Sequence, residues 1–180
     1  IRLIGSVEEA RRVEIPDPDR VAVITQTTLS LDDTAGIVEV LRQRFPRIQA
    51  PARDDICYAT QNRQHAVKAL ARRAPVILVI GSQNSSNSNR LAEVARDAGA
   101  RAYLVDDISQ VDPAWFAGVE VLGITAGASA PEYLVDELVS YFRSRGATEI
   151  LEVEAVAEEV SFALPPELVR DRAAREAGKT

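Results

Sequence analysis

Short runs rich in Val and Ile alternate along this chain with segments whose apolar residues recur at helical spacing. Five of these runs are predicted to form strands, at residues 1–4, 21–25, 76–80, 102–105 and 119–124. Two further strands are expected at residues 149–153 and 160–163. The runs are apolar at almost every position, which is typical of strands buried on both faces of a parallel sheet. The alternation therefore predicts an α/β fold built on mostly parallel sheets.

Four amphipathic helices are also predicted, because apolar residues there lie three or four positions apart. Their apolar stripes cover residues 37–45, 67–74, 91–98 and 134–142. Ser6 and Glu9 form a capping box, and Pro131 suits the first position of a helix. Gly99 and Gly146 suit helix ends.

The ionisable and metal-binding residues narrow the possible functions. The 180 residues include one Cys, one His and no Met, and 21 basic against 27 acidic residues give a net charge of −6. These counts exclude an internal disulfide framework and a Cys/His zinc site made by this chain alone. The acidic balance argues against nucleic-acid binding, and no apolar stretch reaches the roughly 18 residues of a membrane span. A free thiol without a signal peptide favours the cytoplasm.

The most informative loop follows the predicted strand at residues 76–80. Seven of the ten residues at 81–90 are Ser or Asn, and a helix follows them. Hydroxyl and amide donors beside the free N–H groups of a helix N-terminus suit a phosphate group without a lysine. An ordinary helix cap needs only one such residue, so anion binding is favoured and a cap is the alternative.

Two more polar loops follow predicted strands. Loop 125–131 consists of small residues, and Ser129, taken alone, is best explained as a helix cap. In loop 25–33, Ser30 and Asp33 form a predicted capping box. That box leaves the first four residues of the loop polar without a structural reason.

Loop 54–64 carries the only thiol, Cys57. Two interpretations of Cys57 remain open: a small buried apolar residue, or a reactive or metal-binding thiol near a helix start. His65 lies on the following helix and is expected to be a solvated surface residue. Polar loops at the carboxyl ends of parallel strands are expected to converge on one pocket. Such a pocket, with a thiol and neutral donors but no lysine, suits a small anionic ligand next to a soft metal or a nucleophile.

Several of these strings resemble the 4-hydroxy-3-methylbut-2-enyl diphosphate reductase family, over residues 1 to about 168. The matching segments are 25–30, 44–46, 54–60, 62–64, 81–82 with 84–91, 125–132, and Phe162 with Pro165, Glu167 and Leu168. The resemblance implies an iron–sulfur oxidoreductase that performs the last step of non-mevalonate isoprenoid biosynthesis.

The resemblance also implies a cofactor and a reaction. A 4Fe–4S cluster is held by three cysteines and has one iron open to the substrate. Two electrons and protons remove the allylic hydroxyl as water, which gives isopentenyl diphosphate and dimethylallyl diphosphate. A ferredoxin or flavodoxin is the implied electron donor.

Motif by motif, the resemblance implies roles for residues of this chain. Cys57 resembles one of the three cluster cysteines. Thr27 resembles the threonine at the hydroxyl end of the substrate, which makes it the candidate catalytic residue. The residues that resemble diphosphate ligands are Ser85, Ser86, Asn87 and Ser129. Thr60 lies near the cluster in family terms, with a less defined role.

The family's other cluster cysteines, its substrate-binding histidines and its proton-donating glutamate have no counterpart in this chain, which starts at Ile1. The chain therefore resembles the C-terminal part of a three-domain, trefoil-like enzyme. Residues 1–53 would end the second α/β domain, 54–146 would form the third, and 147–180 would form a closing segment. We expect the 180 residues alone to be monomeric, to hold no intact cluster and to turn over no substrate.

Two alternatives remain open. A Cys57-dependent hydrolase or transferase acting on a phosphorylated substrate needs a base beside the thiol, and the only histidine lies eight residues further on. A non-catalytic phosphate-binding module would need neither the thiol nor a cluster.

Overall fold

The computed structural model describes residues 1–50 and 55–153. Within them a three-stranded parallel sheet is flanked by helices, which confirms the α/β prediction. The elements are α1 (Val7–Arg12), α2 (Leu31–Arg44), α3 (Tyr58–Ala71), β1 (Val76–Ile80), α4 (Ser86–Asp97), β2 (Arg101–Val105), β3 (Leu122–Ala126) and α5 (Glu132–Ser144), with 3₁₀ turns at Ile108–Gln110 and Pro113–Phe116. None of the helices in the described ranges is long and apolar enough to cross a membrane.

The sheet has the strand order β2-β1-β3, so β1 is the central strand. Val76 of β1 is aligned with Arg101 of β2 and with Leu122 of β3. All five residues of β1 are fully buried, as its continuous apolar run predicts. Because the strands are parallel, their carboxyl ends lie at one edge, where Gly81 follows β1 and Gly127 follows β3.

The side chains of β1 alternate between two apolar layers. Ile77 and Val79 pack in a cluster with residues of α3 and α4. Leu78 and Ile80 pack in a second cluster with Leu138 of α5. Each fully buried side chain of this size contributes about 1.5–3 kcal/mol relative to an exposed one. The central strand is therefore held from both faces, which fixes the positions of the loops at its end.

The first two helices pack on each other around Ala10, Leu41 and Phe45. Arg44 donates from Nη1 to the carbonyl oxygen of Ala10 at 2.5 Å and from Nη2 to that of Val13 at 2.8 Å. The guanidinium thus satisfies carbonyl groups at the end of α1 that have no partner inside the helix.

Most of the predicted helix caps are confirmed. Ser6 Oγ accepts from the backbone N–H of Glu9 at 3.1 Å, and Ser30 Oγ accepts from that of Asp33 at 3.3 Å. The glycines after α4 and α5 have φ angles of +92° and +104°, as expected for helix ends. Pro131 differs from the prediction, because it precedes the first helical residue instead of occupying that position.

Two helices begin earlier than predicted. α3 starts at Tyr58, inside the predicted loop 54–64, and α4 starts at Ser86, inside the predicted loop 81–90. An apolar stripe marks only the part of a helix that faces the core, so it does not show where a polar first turn begins.

Three of the predicted strands are wrong. Residues 1–4 have no regular structure, and residues 21–25 form only one isolated parallel bridge, to Gln49. Residues 149–153 also lie outside any strand, and residues 160–163 lie outside the described part of the chain. An apolar run becomes a strand only when a neighbouring strand pairs with its backbone, and the local pattern does not specify that neighbour.

The strand predicted at residues 119–124 is displaced along the chain to Leu122–Ala126. The backbone turns at Gly118, whose φ angle is +72°, and the N–H of Val119 donates to the carbonyl oxygen of Phe116. Because of this turn the strand starts further along the chain, and it stays aligned with β1 up to the pair of Ile80 and Ala126.

Candidate functional site

The turn before α4 is folded by its own Ser and Asn side chains. Ser82 Oγ accepts from the N–H of Asn84 at 3.2 Å, and Ser85 Oγ accepts from the N–H of Ser88 at 3.3 Å. Asn89 Nδ2 donates to the carbonyl oxygens of Gln83 and Ser85 at 2.6 and 3.0 Å. Ser85 is therefore the helix cap, but as an acceptor, so its own O–H remains a donor. The cap interpretation explains part of this loop and leaves the rest unexplained.

The unexplained part is the first turn of α4. Asn87 is 8% exposed, and both polar atoms of its amide are buried without a hydrogen-bond partner. The Oγ atom of Ser88, which is 1% exposed, has no partner either. A buried polar group without a partner costs about 1–3 kcal/mol. These side chains stand at a helix N-terminus, where free N–H groups and the helix dipole favour an anion.

The loop after β3 lies against this turn. A Cβ atom placed on Gly127 would lie 3.7 Å from Asn87 Nδ2. Two residues further on, Ser129 is exposed in a turn closed by the hydrogen bond from the N–H of Ala130 to the carbonyl oxygen of Gly127 at 3.0 Å. The prediction that Ser129 caps the next helix is wrong, because α5 begins after Pro131 without any side-chain cap. Its hydroxyl is therefore free to donate to a ligand.

The threonine loop and the thiol loop are joined by hydrogen bonds. The N–H of Cys57 donates to the carbonyl oxygen of Thr27 at 3.2 Å. Asp55 Oδ2 accepts from the N–H of Thr25 at 2.7 Å. Cys57 directly precedes α3 and is exposed, which contradicts the buried apolar interpretation. The structure thus brings Thr27 and Cys57 together on the surface.

Gln64 of α3 connects the same threonine loop to the helix. Its side chain is fully buried, its Nε2 donates to the carbonyl oxygen of Leu29 at 2.8 Å, and its Oε1 accepts from the N–H of Leu31 at 3.0 Å. Sequence reasoning missed this residue and Ser88. For Gln64 a signal was present, because it lies three residues before Val67 on the apolar stripe of α3.

Other features of the described residues do not contribute to this site. His65 is exposed on α3, as predicted. An open cavity of about 610 Å³ lies beside β2, and its lining includes Tyr103 and Trp115 but none of the predicted site residues. The described ranges contain no group of three or more His, Cys, Asp or Glu residues that could hold a metal ion. Cys57 therefore offers one ligand and not a complete metal site.

The fold and the site define an α/β protein with a candidate phosphate-binding helix N-terminus and a thiol-bearing loop. A family model described as LytB protein matches residues 1–143. The chain belongs to this family.

Relatives and a solved structure agree with this assignment. The chain is 52% identical over 168 residues to a 4-hydroxy-3-methylbut-2-enyl diphosphate reductase from Xanthomonas euvesicatoria pv. vesicatoria, covering 93% of the chain and 53% of the relative. It is 53% identical over 165 residues to 4-hydroxy-3-methylbut-2-enyl diphosphate reductase 1 from Burkholderia pseudomallei, covering 92% and 51%. The structure of the E-1-hydroxy-2-methyl-but-2-enyl-4-diphosphate reductase from Plasmodium falciparum is similar with a TM-score of 0.83 and 28% identity, over 97% of this chain and 56% of that one. The chain thus spans about half the length of the curated relatives that it matches.

Proposed function

We propose that this chain forms part of a 4-hydroxy-3-methylbut-2-enyl diphosphate reductase. In this proposal it binds the diphosphate end of the substrate and supplies one thiolate to an iron–sulfur cluster. The observation that carries the proposal is the buried, unpartnered amide of Asn87 at the N-terminus of α4. The names of the relatives supply the substrate class.

The first turn of α4 would bind diphosphate through neutral donors. The amide of Asn87 and the hydroxyl of Ser86 stand beside backbone N–H groups that have no partner inside the helix. The O–H of Ser85 would add a third side-chain donor, and the exposed Ser129 would add another from the loop after β3. A diphosphate carries its charge on oxygen atoms that accept such bonds, and hydrogen bonds to a charged group contribute about 1.5–3 kcal/mol each.

The Thr27–Cys57 pair would bind the reacting end of the substrate. The exposed thiol of Cys57 fits one ligand of a cluster that three thiolates hold. The described residues form no complete ligand group, so the remaining ligands would come from another part of a longer protein. When bound, such a cluster would relay to the substrate the electrons that an external donor supplies. The exposed Thr27 would orient the allylic hydroxyl by a hydrogen bond from its Oγ1.

The overall reaction then balances as a reductive dehydroxylation. The substrate gains two electrons and two protons, its C–O bond breaks, and the hydroxyl leaves as water. Isopentenyl and dimethylallyl diphosphate are the products, and a ferredoxin or flavodoxin supplies the electrons. We also propose the division into residues 1–53, 54–146 and 147–180, although the first of these boundaries lies outside the described residues.

Diphosphate binding tests the carrying observation directly. Calorimetric titration of the chain with inorganic diphosphate should give saturable binding, and the double substitution Ser86→Ala with Asn87→Ala should weaken it about 100-fold. That factor corresponds to the loss of roughly 3 kcal/mol from two donors to a charged group. Asn84→Ala is the matched control, because its side chain is exposed in the same turn. Equal affinity of the double variant and the control would show that the turn is only a helix cap.

A further inference from the structure

Ser88 is in contact with the ends of two strands of the sheet. It lies in the first turn of α4, one residue after Asn87, and is 1% exposed. Its Oγ atom makes no hydrogen bond, although burial of an unpartnered hydroxyl is unfavourable. Neither an ordinary cap nor a salt link explains a serine at this position.

The atoms around Ser88 leave no room for any side chain on two neighbouring residues. A Cβ atom on Gly81 would overlap Ser88 Oγ and would lie 2.8 Å from Ser88 Cβ. A Cβ atom on Gly127 would also overlap Oγ, but would lie 3.4 Å from Ser88 Cβ. Glycine permits such a close approach between a backbone and a neighbouring side chain.

Both glycines are fixed to the sheet. The N–H of Gly81 donates to the carbonyl oxygen of Val105 at 2.9 Å, and the N–H of Gly127 donates to that of Ile80 at 2.8 Å. The hydroxyl of Ser88 is therefore held between two points whose positions the strands determine. Any larger group there would push the first turn of α4 away from the sheet edge.

We infer that Ser88 is a positioning residue for anion binding. Its hydroxyl, packed between Gly81 and Gly127, sets the distance between the first turn of α4 and the loop that carries Ser129. This inference rests on the proposed function, because the donors that it aligns are those assigned to the diphosphate. Hydrogen bonds weaken steeply with distance and angle, so a displacement of about 1 Å separates the two groups of donors.

The two glycines differ in a way that makes the inference testable. Gly127→Ala clashes with the hydroxyl of Ser88 only, so Ser88→Ala removes the overlap and leaves the remaining contact at 3.4 Å. Gly81→Ala also clashes with Ser88 Cβ, and Gly81 has a φ angle of +155°. Ser88→Ala should therefore rescue the substitution at Gly127 but not the one at Gly81.

The experiment measures the affinity of the chain for inorganic diphosphate by calorimetry, with thermal unfolding recorded for every variant. Gly127→Ala should weaken binding roughly tenfold or more, and the double variant with Ser88→Ala should return to within about threefold of the unsubstituted chain. Gly81→Ala should stay weak with or without Ser88→Ala. A purely structural role would lower the melting temperature without changing the affinity of the folded protein.

The possible outcomes separate this inference from the proposed function. Unchanged diphosphate binding in Gly127→Ala, or no rescue by Ser88→Ala, would overturn the inference alone. If Gly127→Ala does not fold, recovery of both folding and binding in the double variant supports the inference, and failure of the double variant to fold overturns it. Absence of diphosphate binding in the unsubstituted chain would overturn the proposed function and this inference together.

Discussion

Replacement of Gln64 by leucine should destabilise the chain strongly, although Gln64 lies outside the proposed ligand set. Its fully buried amide makes two hydrogen bonds, to the carbonyl oxygen of Leu29 at 2.8 Å and from the N–H of Leu31 at 3.0 Å. Leucine is close to glutamine in size, so Gln64→Leu removes both bonds without opening a large cavity. Two backbone groups on the threonine loop then lose their partners.

The size of the effect follows from these two bonds. A neutral hydrogen bond contributes about 0.5–1.5 kcal/mol, and a buried group left without its partner costs about 1–3 kcal/mol. Because Gln64→Leu leaves two such backbone groups without partners, the expected loss in the free energy of unfolding is about 2–6 kcal/mol. In a chain of this size, 1 kcal/mol lowers the melting temperature by about 2–4 °C, so a decrease of roughly 10 °C is expected.

Thermal unfolding followed by circular dichroism measures this decrease. His65→Leu is the matched control, because it introduces the same side chain at the next, exposed position of α3, where surface changes are usually within about 0.5 kcal/mol. Gln64→Glu keeps the acceptor but loses the donor to Leu29, so its destabilisation should shrink as the pH falls and the new carboxyl becomes protonated. Equal melting temperatures for Gln64→Leu and His65→Leu would refute the reasoning.

Two further predictions concern the sheet and an acidic cap. Gly123→Ala should destabilise the chain by about 1–3 kcal/mol in urea unfolding, because a Cβ atom on Gly123 would lie 3.1 Å from a side-chain carbon of Ile77 in β1. An unchanged urea midpoint would contradict this packing of β3 against β1. Hydrogen bonds from the side chain and backbone of Ser109 hold the pKa of Asp107 below its ordinary value. The contribution of Asp107 to stability is therefore present at neutral pH and is lost as the pH falls through the lowered pKa. Asp107→Asn should therefore reduce the decrease of the urea midpoint between about pH 5 and pH 2. If the urea midpoint varies with pH in the same way with and without Asp107→Asn, the prediction is wrong.

The central part of the fold could be predicted from sequence because its signal is local. The run at residues 76–80 is apolar at every position, and the strand has the predicted bounds, since burial on both faces needs no choice of face. The runs at 1–4 and 21–25 look similar but form no strand among the described residues. Whether such a run forms a strand depends on a neighbouring strand that pairs with it, and no local pattern specifies that neighbour.

The residues of the candidate site could be predicted from the sequence only in part. The density of Ser and Asn around the start of α4 favoured an anion site, and the family resemblance, now confirmed, supplied the proposed roles of Cys57 and Thr27. Ser88 was not singled out because its importance comes from two glycines, both more than five residues away in sequence, that meet it only in the folded chain. The prediction that Ser129 caps α5 was wrong because α5 starts only after Pro131, later than the local pattern indicates.

We propose above that this chain supplies one cluster thiolate and donors for the diphosphate in a reductase. The direct test is a hybrid in which the chain replaces the matching segment, about half, of the Xanthomonas reductase. After anaerobic reconstitution with iron and sulfide, the hybrid should reduce 4-hydroxy-3-methylbut-2-enyl diphosphate, and Cys57→Ser should remove both bound iron and activity. The 180-residue chain alone should neither retain a cluster nor reduce the substrate. A hybrid that keeps its iron and its rate after Cys57→Ser would contradict the account.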